Sequence, residues 1–141
     1  MSNTAPQVGY TLKQAQSLLH LRMEEALKPL RLTVSQYSCL YHLRRGPGIS
    51  AAALARATFV TRQSMNAMLQ QLIDRGLVAR PSRVETGRAL PTMLTAAGAE
   101  TLDSAQKLVD GVEQRMLSGL SGTEIATLAR GLEACVHSLD E

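Results

Sequence analysis

Polar side chains that could read DNA bases are concentrated in one short segment, residues 61–75. Counting from Met65, apolar residues recur at three- and four-residue steps, which predicts a helix with one buried face. The remaining surface is almost uncharged, and Arg62, Gln63 and Asn66 lie near its start. Gln and Asn can pair with adenine in the major groove of DNA, and Arg can pair with guanine. A lone helix of this kind is more often a solvated amphipathic segment, so the interpretation depends on its neighbours.

Two short helices joined by a turn are predicted at this point of the chain. Ser50 caps an alanine-rich helix, and Thr61 caps the helix that carries the polar side chains. Gly76 is a natural end for the second helix. Phe59 or Val60, in the turn, is expected to pin the two helices together.

A β-hairpin is expected to follow, with strand signals at 77–80 and 89–94. Pro91 cannot donate a ladder hydrogen bond, so the returning strand must be short or lie at an edge. Three arginines cluster on this hairpin: Arg80, Arg83 and Arg88. They could simply be solvated, yet beside two helices of this kind they are placed to touch a phosphate backbone.

Longer helices are predicted on both sides of this unit. Residues 1–9 read as a loose arm, and residues 10–30 repeat apolar positions with helical spacing. Thr33 and Gln36 form a capping box for the next helix, which ends at the loop that begins with Gly46.

The C-terminal part of the chain predicts two more amphipathic helices. Thr95 begins the first, and Ser121 with Glu124 forms a capping box at the start of the second. Their apolar stripes need a partner, which is either the N-terminal helix or a second copy of the chain. This arrangement favours a homodimer.

The composition sets the class of protein. A chain of 141 residues with 45% hydrophobic residues is long enough for one compact domain. No apolar run approaches the ~18 residues that would span a membrane, and the N-terminus lacks the pattern of a secretory signal. We therefore expect a soluble, cytoplasmic protein without a membrane partner. The net charge of +3 favours a polyanionic partner only weakly.

Catalytic and metal-binding motifs are missing from the sequence. It contains no HExxH, no glycine-rich phosphate loop and no GxSxG. His20, His42 and His137 are not spaced as metal ligands on one element. We expect no enzymatic activity, no metal and no cofactor.

The order of these elements, together with several short motifs, resembles the MarR family of bacterial transcriptional regulators from about Gly9 to the C-terminus. The resemblance is carried by LTVSQY (32–37), ISAAALA (49–55), VTRQS (60–64), LIDRGLV (72–78), LTAAG (94–98) and Arg88 in the hairpin. It implies a mainly α-helical fold with a small β-hairpin. A winged helix-turn-helix (33–94) would be flanked by dimerisation helices (10–30 and 95–141) in a single domain, 1–141.

The resemblance implies a sequence-specific DNA-binding regulator, usually a repressor, that binds a near-palindromic operator as a homodimer. Its two recognition helices would enter successive major grooves ~34 Å apart. Arg62, Gln63 and Asn66 would read bases, and Arg88 would enter the minor groove. Contacts to the DNA backbone are expected from Ser50, Arg56, Thr61, Ser64, Arg80 and Arg83.

Two positions depart from the family pattern. Thr86 stands where an acidic residue commonly holds the wing arginine, although Glu85 is adjacent. Ala67 stands where the recognition helix often has a basic residue, so the sequence preference is expected to be unusual.

Family members are often released from DNA by small aromatic acids or phenols, and a small aromatic acid is the effector expected here. The polar and aromatic side chains that could line its pocket are Tyr10, His20, Arg22, Tyr37, Tyr41 and His42. Arg22 would suit a carboxylate. Equally, the tyrosines could be core residues and the others surface or cap groups.

Two other functions remain open at the level of sequence. Oxidation of Cys39 or Cys135 could switch a regulator, although both fall in apolar helical patterns that do not lower a thiol pKa. A helical adaptor that binds no DNA would explain the helices, but not the arginine-bearing hairpin.

Overall fold

The computed structural model describes residues 5–80 and 91–140. This part of the chain is mainly helical with one two-stranded antiparallel hairpin, as the sequence predicts. The elements in chain order are α1 (Ala5–Leu27), a 3-10 turn (Lys28–Leu30), α2 (Val34–Arg45), α3 (Ala51–Thr58), α4 (Arg62–Asp74), β1 (Val78–Ala79), β2 (Met93–Leu94), α5 (Ala96–Met116) and α6 (Gly122–Leu139).

The predicted helix caps are present. Thr33 Oγ1 accepts the N–H of Gln36 at 3.0 Å, and Gln36 Oε1 accepts the N–H of Thr33 at 3.0 Å. Ser121 and Glu124 form the same reciprocal pair at the start of α6. Each such cap satisfies helix N–H groups that lack a partner within the helix, and contributes about 1 kcal/mol.

The N-terminal arm is the prediction that the structure contradicts. Helix α1 begins at Ala5, so residues 5–9 are helical rather than loose. Pro6 does not prevent this, because the N–H groups of the first helical turn have no partner within the helix. A proline near the chain start therefore marks a helix N-terminus here.

The core lies between α2, α3, α4 and α5. Leu40, Leu54, Leu69 and Leu102, one from each of these helices, have at most 1% of their surface exposed. Because the apolar stripe of α4 is buried, the rotation of this helix about its axis is fixed. Its polar side chains consequently remain at the surface.

The turn between α3 and α4 resolves the choice between its two apolar residues. Val60 is partly buried and packs against the core, whereas Phe59 is 93% exposed. Val60 is therefore the residue that pins the two helices together.

Helix α4 ends in a glycine-dependent motif, as predicted. Gly76 has a φ of 76°, and its N–H and that of Leu77 bond back to the carbonyls of Ile73 and Leu72 at 2.9 and 3.0 Å. Arg75 binds the carbonyl oxygen of Arg31 at 2.7 Å, which ties the end of α4 to the segment between α1 and α2.

The two strands of the hairpin are short, as expected from the position of Pro91. Val78 pairs with Leu94 and Ala79 with Met93. Residues 81–90, which hold the predicted turn, lie outside the described part of the chain.

Helix α5 starts in direct contact with the segment between α4 and β1. Thr95 Oγ1 donates to the carbonyl of Gly76 at 2.6 Å, and the N–H of Thr95 donates to the carbonyl of Leu77 at 3.1 Å. A Cβ atom on Gly98 would lie 2.0 Å from that same Leu77 oxygen. Only glycine permits this approach.

Replacing Gly98 by Ala is therefore expected to lower the free energy of unfolding by about 1–3 kcal/mol, because two backbones must separate. Gly111→Ala on the same helix is the matched control, since a Cβ there meets nothing within 4 Å. It should stabilise the protein by up to ~1 kcal/mol, because alanine loses less backbone entropy. Urea unfolding at one fixed protein concentration measures both. Equal effects of the two substitutions would contradict the packing described here.

Candidate nucleic-acid interface

The N-terminus of α4 presents three polar side chains on a capped helix end. Arg62, Gln63 and Asn66 are all exposed. At about 100° per residue they fall within one arc of roughly 100° around the helix. The structure thus brings together the three residues that the sequence predicted to read bases.

The cap itself involves two of the predicted backbone-binding residues. Thr61 Oγ1 accepts the N–H of Ser64 at 3.0 Å and donates its proton to Ser64 Oγ at 2.9 Å. The Ser64 hydroxyl proton consequently remains available to a phosphate oxygen. The first-turn N–H groups add partial positive charge at the same place, which favours an anion.

Helix α3 lies before this end. Ser50 Oγ accepts the N–H of Ala53 at 3.1 Å, so its oxygen caps α3 while its proton can still be donated. Arg56 is exposed in the last turn of α3. Both positions are compatible with contacts to the DNA backbone.

Of the three hairpin arginines, Arg80 belongs to the described part of the chain and the other two do not. Arg80 is only half-exposed, and its Nε and Nη2 atoms are buried. These two atoms have no hydrogen-bond partner among the described residues. Arg83 and Arg88 lie outside the described residues, as do Glu85 and Thr86.

The residues predicted for an effector pocket lie in separate places. Tyr37, Tyr41 and His42 form a cluster on α2, with ring centroids 6.2 Å apart for the tyrosines and 5.4 Å apart for Tyr41 and His42. Arg45 donates to the Tyr41 hydroxyl at 2.9 Å.

Tyr37 is a core residue with a polar end. Its hydroxyl donates to Gln106 Oε1 on α5 at 2.9 Å, and Gln106 in turn donates to Asp110 at 2.9 Å. Burial raises the pKa of Tyr37, and the negative charge of Asp110 raises it further. The phenol therefore stays protonated and acts as a donor that links α2 to α5.

The predicted pocket residues on α1 are not part of that cluster. Tyr10 is 83% exposed. His20 Nε2 lies 4.0 Å from Glu24 Oε1. The Glu24 carboxylate also accepts the N–H of Val34. His20 thus matches the surface interpretation, whereas Tyr10 is neither in that cluster nor in the core.

Arg22 instead lies in a cleft of about 330 Å³ between α1 and α5, which we call the arginine cleft. Its lining residues are Ala15, Leu18, Leu19, Arg22, Val112, Arg115 and Met116. Two guanidinium groups beside apolar walls suit a planar ring that bears a carboxylate. Nothing in the sequence pointed to Arg115, because no motif indicated which residues of α5 face α1.

The two thiols are in different environments. Cys39 is buried beside Met65, with 3.9 Å between their sulfur atoms, whereas Cys135 is exposed. Burial raises the pKa of Cys39 to about 12, so it is almost entirely protonated at neutral pH.

Residues 5–80 and 91–140 contain neither a metal-binding cluster nor a membrane-spanning helix. No group of three or more His, Cys, Asp or Glu there could hold a metal ion. None of the helices in these ranges is both long and apolar enough to cross a membrane.

Comparison with known proteins identifies similar chains. A family model described as "MarR family" matches residues 32–89. The HTH-type transcriptional repressor Rv2887 of Mycobacterium tuberculosis is 39% identical over 133 residues, which cover 94% of this chain and 95% of the relative.

Solved structures of the M. tuberculosis MarR family protein Rv2887 are also similar. Its complex with salicylic acid gives a TM-score of 0.75 at 39% identity, over 91% of this chain and 95% of that chain. Its complex with DNA gives a TM-score of 0.77 at 34% identity, over 91% and 96%. These matches confirm the winged helix-turn-helix fold that the sequence predicted.

The burial of Cys39 generates a test of the redox alternative. At pH 8 only on the order of one Cys39 in ten thousand would be a thiolate, which is the reactive form. In a Cys135→Ser variant, iodoacetamide is expected to leave the native protein unmodified while a free thiol reacts fully, as measured by mass spectrometry. The same variant in urea is the control and should react. Rapid alkylation of the native variant would restore Cys39 as a redox switch.

Proposed function

The chain belongs to the MarR family of transcriptional regulators, and we propose that it is a homodimeric repressor released from DNA by a small aromatic acid. It is a DNA-binding regulator, and the proposal concerns the residues that perform this role. The observation that carries it is the exposed end of α4, where Arg62, Gln63 and Asn66 share one face. For a regulator of bacterial genes, the cytoplasm is the proposed place of action.

These three side chains are assigned to base reading because of the way α4 is packed and capped. The buried residues Met65 and Leu69 fix the rotation of the helix, and the Thr61–Ser64 cap satisfies its first N–H groups. The side chains of the first two turns are thereby left for base edges, where Arg suits guanine and Gln or Asn suits adenine.

Contacts to phosphates would set the register of the protein on DNA without carrying sequence information. Ser64, Ser50 and Arg56 have the hydroxyl protons and charge for this, and Thr61 contributes through its place at the helix N-terminus. From the hairpin, Arg80 and Arg83 are proposed for the backbone and Arg88 for the minor groove.

A second copy of the chain is the proposed partner of the terminal helices. Helix α6 buries none of its residues, and Leu128, Leu132 and Val136 on it are 42%, 39% and 63% exposed. These side chains belong to or adjoin an apolar groove of about 690 Å³ between α1, the end of α5 and α6. Burying the apolar surface of both copies would stabilise a dimer, which presents two α4 helices to a near-palindromic operator.

The arginine cleft is the proposed effector site. It combines apolar walls with Arg22 and Arg115, which matches the ring and the carboxylate of an aromatic acid. That the relative Rv2887 was solved with salicylic acid supports this class of ligand. Arg22 also pairs with Glu25 at 3.0 Å, so Arg115 is expected to contribute more to binding.

Ligand binding in this cleft can reach the DNA-reading end through α5. Helix α5 joins α2 through Tyr37–Gln106 and through Arg44, whose Nη2 lies 2.8 Å from Asp103 Oδ1. Such a half-exposed ion pair contributes little stability, about 0–1 kcal/mol, so its role is orientation. A ligand that changes the spacing of α1 and α5 would alter the separation of the two α4 helices in the dimer.

Two glutamines on α4 are expected to respond differently to replacement by alanine. Gln63→Ala is expected to weaken binding to a specific duplex by about 1–3 kcal/mol, because a base contact is lost. Gln70→Ala is the matched control, since Gln70 lies in the second half of α4 and donates to Asp74 at 2.9 Å. Fluorescence anisotropy with a labelled duplex from the region upstream of the chain's own gene measures both. Equal losses would remove Gln63 from base reading, and no binding by the wild type at low salt would favour the adaptor.

Release from DNA by salicylate is expected to depend on Arg115. Arg115→Ala should raise the salicylate concentration that releases half of the bound duplex by about tenfold, because a charged hydrogen bond is lost. Lys107→Ala, an exposed cation of α5 outside the arginine cleft, should leave this concentration unchanged. If Arg115→Ala responds like the wild type, the effector binds elsewhere, and the Tyr37–Tyr41 cluster becomes the next candidate.

A further inference from the structure

The chain contains a single phenylalanine, and it is one of the most exposed residues of the structure. Phe59 is 93% exposed in the turn between α3 and α4. Its backbone is left-handed, with φ 58° and ψ 40°. A large aromatic side chain is placed in water, in a backbone conformation that favours glycine.

Neither feature helps the protein to fold. For an L-residue with a bulky side chain the left-handed region is strained, because Cβ crowds the following carbonyl. The turn needs this conformation, since the N–H groups of Phe59 and Val60 bond to the carbonyls of Arg56 and Ala55 at 3.3 and 3.1 Å. Glycine would make the same bonds without strain. The ring therefore indicates a function outside the folded chain.

The position of the ring limits which partners it can contact. Phe59 is two residues before the Thr61 cap and three before Arg62, so its Cα lies within about 11 Å of that of Arg62. When the start of α4 enters a major groove, this separation leaves the exposed ring within reach of the edge of the same groove. Val60, which turns into the core, holds the intervening backbone in place.

The chemistry of the ring identifies its partner. A phenyl group cannot donate or accept a conventional hydrogen bond, and the apolar group that a base displays in the major groove is the C5-methyl of thymine. We propose that Phe59 packs against a thymine methyl in each half of the operator and adds a base preference beyond the pairs read from α4. This inference rests on the proposed function.

The preference would offset the loss of a long side chain at Ala67. A methyl group there has little reach along the groove, so fewer base pairs are read from within α4. A ring placed before the helix would extend the readout in the opposite direction along the DNA.

The experiment starts from duplexes that the wild type selects from a random library. Phe59→Gly and Phe59→Asn, two residues that accept a left-handed backbone, are then compared with the wild type by anisotropy. Both should bind the selected duplex roughly fivefold to tenfold more weakly. Both should unfold at the same temperature as the wild type or a few degrees higher, which separates lost contact from lost folding.

Replacing thymine by deoxyuracil, one position at a time, tests the methyl contact directly. At one position in each half-site the wild type should lose affinity severalfold, whereas Phe59→Gly should lose none. This non-additivity is the signature of a direct contact.

Three results would overturn the inference. Equal affinity of Phe59→Gly and wild type would place the ring in a contact with another protein. A weaker variant without any uracil-sensitive position would assign the ring to the sugar-phosphate backbone. Failure of the wild type to select any duplex would remove the proposed function itself, and this inference with it.

Discussion

The close approach of α5 to the segment between α4 and β1 is the constraint on which the rest of the structure depends. At Gly98 the helix backbone touches the carbonyl of Leu77, leaving no room for a side chain. Thr95 bonds to two residues that follow the end of α4, Gly76 and Leu77. The end of α4, the base of the hairpin and the start of α5 are therefore connected directly by hydrogen bonds and close packing. A displacement of α5 has to be transmitted to α4 rather than absorbed between them.

At its N-terminal end, α4 is held in place by the core while its polar side chains remain exposed. Its buried stripe is packed among α2, α3 and α5, and Thr61 with Ser64 satisfies its first N–H groups. Because backbone and cap are satisfied internally, the polar side chains of the first turns have no structural duty that conflicts with DNA. The turn before it combines a left-handed backbone at Phe59 with an exposed aromatic ring.

The sequence predicted most of the local structure because that structure follows from local chemistry. Thr33 with Gln36, Ser121 with Glu124 and Gly76 mark helix ends through hydrogen bonds that span a few residues. The predicted start of α1 was wrong. Pro6 and Gly9 are typical of loops, but proline is well tolerated in the first turn of a helix. In the turn, the choice between Phe59 and Val60 required knowledge of the core.

The proposed effector site was less predictable, because it depends on which helices pack together. Tyr37, Tyr41 and Arg22 are all plausible ligand-binding residues in the sequence, yet the structure separates Arg22 from the tyrosines and joins it to Arg115. That pairing arises from the contact of α1 with α5 over a separation of more than ninety residues. No periodicity or motif encodes such a contact.

The most direct test of the central claim is protection of guanine N7 from dimethyl sulfate on a duplex that the protein binds. N7 lies in the major groove, where the starts of the two α4 helices are proposed to enter. The account predicts two protected patches, about ten base pairs apart on one face of the duplex, one for each subunit. Binding without protection in the major groove, or a single protected patch, would contradict it.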